Sequence, residues 1–296
     1  MRKTIIGFAI GFVFSVNINA QKSKEIITYD VPMESFPPAY VNISKYDIID
    51  SAYIKCTYNL TYLKDSSKVE KKSTDVQTLL IGKNISKYYS QYKSDHYKFA
   101  EEYLKTHESY PYNKEEGTWS KEFYKNYPEN KATIADIGSM LRDNFIYEDE
   151  LPKFKWKLSN EKQTILSYQC HMATVNYRGR DYIAWYTKEI PVSNGPWKFT
   201  GLPGLILKVY DTKNQYVFEC KGLEQLKPKE PIKFYKVDYI KTSRKELEKL
   251  YKRIYYDYAH YMRSNYEVTI EEYRSGEFIE VQHSSARVPY NPIELE

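Results

Sequence analysis

Apolar and polar positions alternate well over residues 52–63. Ala52, Ile54, Cys56, Tyr58, Leu60 and Tyr62 share one face, while Tyr53, Lys55, Thr57, Asn59 and Thr61 share the other. This period of two is that of a half-buried strand. A polar turn at 65–72 leads to a second strand at 74–81. The tight turn Gly82-Lys83-Asn84 leads to a third at 85–90, so the three form an antiparallel meander. Residues 95–107 change to a helical period, with Tyr97, Ala100, Tyr103 and Leu104 in one stripe and Asp95 placed to cap it. Residues 108–140 are polar, carry Pro111, Gly117 and Pro128, and predict a long surface insertion with a short helix at 131–142.

The strand pattern resumes at Phe154, Trp156 and Leu158. It predicts one long strand over 165–177, a hairpin turn at Arg178-Gly179-Arg180 and a return over 181–187. Residues 205–210 and 215–222 predict a second hairpin, and 232–240 a further strand. A single helix is predicted at 243–262. Ser243 and Glu246 have capping-box spacing, and Leu247, Leu250, Tyr251, Ile254 and Tyr258 make one apolar stripe. Short strands at 267–270 and 277–281 and an extended end at 289–292 complete the chain. Many antiparallel strands with one strong amphipathic helix predict a β-rich α+β domain over 21–296, with no internal repeat.

Residues 1–20 have the pattern of a secretory signal peptide. Arg2-Lys3 precedes an apolar run from Ile5 to Val16, and Ala20 is a small residue at the expected cut, before Gln21. The run is shorter than the roughly 20 residues a membrane-spanning helix needs. The expectation is an exported protein, periplasmic or associated with the outer membrane, with no integral membrane segment in its mature form. The formal charge of +5 falls to +3 once Arg2 and Lys3 leave, and the remaining Lys residues are interleaved with Glu. That is the pattern of a solvated mixed-charge surface and not of a nucleic-acid-binding face.

The three cysteines, Cys56, Cys170 and Cys220, lie in alternating segments and suit buried small hydrophobes, with a Cys170–Cys220 bridge as the alternative. Cys170-His171 does not make a nucleophile–base pair, because neighbours on a strand point to opposite faces. The five His residues give no metal-ligand spacing, no Gly-x-Ser-x-Gly elbow is present, and Gly201-Leu202-Pro203-Gly204 lacks the Lys-Ser/Thr of a phosphate cradle. No metal or cofactor is expected. The 32 tyrosines are many for 296 residues. They suit either a compositional bias or a flat amphipathic binding surface.

Residues 195–211 read Gly-Pro-Trp-Lys-Phe-Thr-Gly-Leu-Pro-Gly-Leu-Ile-Leu-Lys-Val-Tyr-Asp. This stretch resembles the signature of the GLPGLI family, whose six-residue string stands at Gly201, Leu202, Pro203, Gly204, Leu205 and Ile206. The blocks at 80–87, 168–174, 178–191 and 291–295 also resemble that family, so the resemblance spans the mature chain. It implies an exported Bacteroidota protein whose relatives accompany TonB-dependent outer-membrane transporters, and it carries over no catalytic residue. Physically, Gly201 and Gly204 permit close backbone approach or positive φ, and Pro203 stiffens the corner between them. Leu205, Ile206 and Leu207 then enter a central strand, with Trp197 and Phe199 closing over it. A rigid corner and a ligand-facing rim are both open readings.

The order of elements is similar, more loosely, to the LolA/LolB lipoprotein carriers. That likeness implies a curled, unclosed half-barrel covered by helices. On it rests the expectation of a non-enzymatic protein binding a lipid, acyl chain or apolar peptide. The inner-face residues Tyr58, Leu60, Trp185, Leu207 and Phe218, with Trp197 and Phe199 at the rim, are the candidates for contact. The alternative is an accessory protein of an outer-membrane transporter, and a hydrolase is the third reading.

Overall fold

The computed structural model describes residues 14–18, 25–29, 42–66, 70–107, 119–137, 143–265, 268–274, 277–284 and 290–296. In chain order the elements begin with β1 (Phe14–Ile18), β2 (Glu25–Tyr29), β3 (Tyr46–Tyr62), β4 (Ser73–Ile81), β5 (Ser86–Ser90) and α1 (Gln91–Tyr103). There follow β6 (Lys121–Lys125), β7 (Lys131–Asp136), β8 (Asn144–Glu150), β9 (Lys157–Ile165), β10 (Tyr168–Tyr177), β11 (Arg180–Thr187) and β12 (Leu205–Asp211). The rest are β13 (Tyr216–Tyr235), β14 (Tyr239–Lys241), α2 (Arg244–Tyr256), α3 (Tyr258–Asn265), β15 (Val268–Arg274) and β16 (Glu277–Glu280).

Twelve strands make one large curled sheet in the order β14-β8-β7-β6-β5-β4-β3-β13-β12-β11-β10-β9. Neighbours are antiparallel except β14, which runs parallel to β8. The end strands β14 and β9 do not pair with each other, so the sheet stays unclosed. A second sheet has the order β16-β15-β1-β2. The fold is thus β-rich, as the pattern predicts, with three short helices among the described residues. No helix among the described residues is long and apolar enough to cross a membrane. Within the segment expected to be a leader, Phe14–Ile18 pairs with β15 and with β2; the rest of 1–20 lies outside the described residues.

β3 has the predicted faces: Ala52, Ile54, Cys56, Tyr58, Leu60 and Tyr62 are all buried. It pairs with β4 on one side and β13 on the other, joining the two halves of the sheet. β13 follows β3 through register shifts at Cys220/Gly222, Gln225/Glu230 and Ile232/Lys233. The two strands predicted at 215–222 and 232–240 are therefore largely one bulged strand. All three cysteines are buried free thiols, so Cys170 and Cys220 are not bridged.

Three other expectations need correction. The helix predicted at 95–107 starts at Gln91, because the Ser90 hydroxyl accepts from Lys93 N and takes the cap. The helix predicted at 243–262 has the Ser243–Glu246 capping box but breaks at Asp257. There the carboxylate accepts from His260 N (3.1 Å) and Ser284 N (2.9 Å), which starts α3 afresh. Within 108–140, where a surface loop and a helix at 131–142 were expected, β6 and β7 are paired strands inside the large sheet. Residues 108–118 and 138–142 lie outside the described residues.

The main core lies against the face of the sheet that carries Tyr58 and Leu60, and α2 and α3 contribute Leu247, Tyr251, Ile254 and Tyr258 to it. α2 packs on β8 and α1 on β4 and β5. The helices therefore cover only parts of the sheet, and the margin of α2 is where the candidate site forms.

Candidate functional site

A cavity of about 150 Å³ opens between the sheet, α2 and the closing segment 290–296. Its walls are mainly aromatic. On the sheet side Tyr62 and Tyr216 stack at 6.1 Å, a cross-strand pair in the β3–β13 register. Trp119 meets both edge-on, at 5.8 and 5.9 Å. On the helix side Tyr251 and Tyr255 lie one turn apart on α2, and Tyr290 packs against them at 6.5 and 5.0 Å.

Polar groups hold these walls in place. Tyr216 Oη donates to Asn291 O (2.5 Å), and Tyr251 Oη donates to Asp136 Oδ2 (2.5 Å). Asp136 is fully buried, and its Oδ1 has no hydrogen-bond partner. Behind Trp119, its backbone N–H donates to Asp75 Oδ2 (2.8 Å), which also accepts from Gln77 Nε2, while Ser90 Oγ donates to Oδ1. Burial pushes the Asp75 carboxyl up to about 7, against the pull of those hydrogen bonds. The indole Nε1 of Trp119 is itself buried without a hydrogen-bond partner. An unpaired buried donor of this kind costs free energy.

The cavity also carries charge. Lys198 is buried and bridges Glu294 (2.7 Å) and Asp149 (3.2 Å). Arg244 lies between Glu248 (3.0 Å) and Glu294 (3.6 Å). Burial pushes the Glu248 carboxyl up despite Arg244 beside it. Lys121 places its Nζ 5.3 Å from the centre of the Tyr251 ring.

Of the residues singled out from the sequence, Trp197 lines this cavity. Tyr58, Leu60, Trp185, Phe199, Leu207 and Phe218 are buried in the core and do not line it. Phe199 is enclosed by Phe154, Tyr182, Trp197 and Phe218, with ring centres 4.9 to 6.2 Å away. Tyr58 Oη donates to Ile206 O (2.7 Å).

The string Gly201–Ile206 builds a corner. Gly201 has φ +88° and Gly204 φ +155°. Leu205 N donates to Ile190 O and Ile206 N to Asn194 O. Beneath the corner the buried Lys125 ammonium donates to Asn194 Oδ1 (2.7 Å), Gly195 O (2.5 Å) and Phe199 O (3.4 Å). Burial pulls Lys125 down to about 7. These bonds hold Leu205 and Ile206 at the start of β12, and Lys125 holds the carbonyls of Gly195 and Phe199 on either side of Trp197 and Lys198.

Sequence reasoning missed Trp119, Lys198, Tyr216, Tyr255, Tyr290 and Glu294 as a group. The Tyr abundance and the Tyr251 position on the helical stripe were the available signals, but seven chain segments converge here and only the fold brings them together. No group of three or more His, Cys, Asp or Glu side chains able to hold a metal occurs among the described residues.

A family model described as a protein of unknown function (Porph_ging) matches residues 177–208, a stretch that contains Gly201–Ile206. No curated protein matches the chain. Two solved structures of PNGF-II are similar in part. The one in the P21 space group has a TM-score of 0.42 and 13% identity, covering 68% of this chain and 33% of that one. The one in the C2 space group has a TM-score of 0.43 and 15% identity, covering 67% of this chain and 32% of that one. The chain thus spans about a third of the length of these structures.

Proposed function

We propose that this chain is an exported, non-enzymatic envelope protein of GLPGLI type, whose curled sheet works as a half-barrel similar to the LolA carriers and binds an amphipathic ligand at the α2 margin. The cavity walled by Tyr62, Trp119, Tyr216, Tyr251 and Tyr290 is the observation that carries the reading. At about 150 Å³ it suits one ring or one branched side chain. A void of that size takes up benzene, and drug-sized ligands need about 300 Å³ or more. Among a lipid, an acyl chain and an apolar peptide, the fit therefore favours a peptide that inserts a single aromatic or aliphatic side chain.

The test is a tryptophan-fluorescence titration of the purified chain with N-acetyltyrosinamide and, separately, with decanoate. Saturable quenching by the tyrosine derivative that disappears in Trp119→Phe is the expected result. Saturation by decanoate alone would return the reading to an acyl carrier, and no response to either would refute ligand binding here. Where the bound peptide belongs to an outer-membrane transporter, the binding and accessory roles coincide.

A further inference from the structure

The closing segment 290–296 is held largely by side chains of the sheet. Three consecutive backbone or side-chain acceptors at its start are read by side-chain donors of the sheet. Arg180 donates from Nη2 to Asn291 Oδ1 (2.8 Å) and Pro292 O (2.7 Å), and from Nε to Ile293 O (3.0 Å). Tyr182 Oη donates to Ile293 O (3.2 Å) and Tyr216 Oη to Asn291 O (2.5 Å). The Glu294 carboxylate then meets Lys198 (2.7 Å) and Arg244 (3.6 Å), and Leu295 N donates to Arg178 O (2.9 Å).

Each cation in this groove has a second partner outside the segment. Arg180 is fixed by Asp211 (3.2 Å) and Gln215 (2.7 Å). Lys198 is fixed by Asp149 (3.2 Å) and Arg244 by Glu248 (3.0 Å). The donors therefore keep their orientation without residues 290–296, which is the property of a preorganised receptor. Reading of main-chain carbonyls tolerates many sequences, while paired cations on one carboxylate select an acidic side chain. Residues Tyr290 to Glu294 also form one wall of the cavity, so groove and cavity are continuous.

We propose that this groove is a peptide-binding site which the chain fills with its own segment 290–296, and that its ligand in trans is an extended segment of a partner protein with the pattern Asn-Pro-aliphatic-Glu-aliphatic. The inference extends the peptide reading of the cavity. The tethered segment competes at an effective concentration in the millimolar range. The site in the wild-type chain is therefore largely self-occupied, and weakening the segment's own anchor exposes it.

The experiment is fluorescence anisotropy of a labelled Asn-Pro-Ile-Glu-Leu-Glu peptide with the full chain and its Glu294→Gln and Asn291→Ala variants. Removing one charge-assisted contact from the segment should raise affinity for the added peptide about tenfold or more. The same peptide with Gln in place of its first Glu should lose that gain. A second measurement needs no variant: millimolar peptide should speed hydrogen exchange of residues 290–296 in the wild-type chain. Unchanged protection there, or folded variants that bind the peptide no better than wild type, would overturn the proposal. N-acetyltyrosinamide quenching in the same samples separates the two readings. Ring binding without peptide binding sinks the groove alone, and peptide binding without ring binding sinks the cavity reading alone.

Discussion

Gly204→Ala tests whether the Gly201–Ile206 string is scaffold. A Cβ built on Gly204 would lie 2.0 Å from Thr187 O and 2.7 Å from Thr187 C. Both are backbone atoms of β11, so no rotamer change relieves the contact. Thr187 pairs with Leu205 in the β11–β12 register, and restoring an allowed distance means moving the strands apart by about 1 Å. Three costs follow. A φ of +155° is strained for alanine by about 1–3 kcal/mol. The Leu205 N to Ile190 O bond, at 3.0 Å, loses about 1 kcal/mol. Displacing the fully buried Leu205 forfeits part of the roughly 2–5 kcal/mol a buried leucine is worth. The expected loss is on the order of 4 kcal/mol, or about 8–16 °C in Tm. Gly201→Ala is the control. Its φ is +88°, but the nearest atom to its Cβ is Trp156 Nε1 at 3.6 Å, so only conformational strain of about 1–2 kcal/mol applies. Urea denaturation of both variants against wild type provides the measurement. A Gly204→Ala chain within about 1 kcal/mol of wild type, or a Gly201→Ala chain less stable than the Gly204→Ala chain, would refute this account.

Two further outcomes follow from buried charges. Asp75 titrates near 4 in an unfolded chain but is held up to about 7 in the fold. The folded state then binds the proton more tightly, so this stabilisation is complete below pH 4 and is lost as pH rises through 7. Asp75→Asn should flatten the pH dependence of unfolding free energy between those limits; a slope equal to wild type would show that Asp75 does not set it. Arg180→Leu leaves Asp211, 2% exposed, without its cation and unlatches the carbonyls of residues 292 and 293. It should cost about 3–5 kcal/mol. Hydrogen exchange at 290–296 should quicken in the same variant, and a segment as protected as in wild type would contradict the latch.

Elements came through in the sequence where burial follows a regular period. β3 shows this, with every even position from 52 to 62 buried. The turn between β9 and β10 was hidden because Leu166 and Ser167 adopt φ of +48° and +69° without any Gly or Asn to mark them. The 165–177 stretch therefore looked like one strand. β6 and β7 were hidden for a different reason. Lys125 and Asp136 are buried there, and Glu122 sits beside the Lys87 ammonium at 2.9 Å, so a buried hairpin carried the composition of a surface loop. Only pairing across distant strands makes such burial tolerable, and pairing is not written in local pattern. The same limit applies to the site. Trp197 was legible because it sits beside a distinctive string, whereas Tyr216 and Tyr290 gain meaning only from each other.

Among the described residues, buried tyrosines take two structural roles. Several buried hydroxyls bond backbone carbonyls of the sheet and of the segments beside it. β12 skips Leu207 opposite β11, and Tyr58 Oη binds the neighbouring Ile206 carbonyl there. Tyr97 Oη similarly binds Ile137 O and Tyr239 Oη binds Tyr235 O. A tyrosine buries nearly the apolar area of a phenylalanine while supplying a donor, which lets a long bulged sheet satisfy stray carbonyls without water. The second role depends on the first. Tyr216 and Tyr251 are tied by their hydroxyls to Asn291 and Asp136, so neither ring is free to swing inward and fill the space between them. Phenylalanine at either position would lack that tether and could close the gap by a rotamer change. The cavity thus persists because its aromatic walls are anchored from behind, which makes it a preorganised site as well as a packing remnant of the curled sheet.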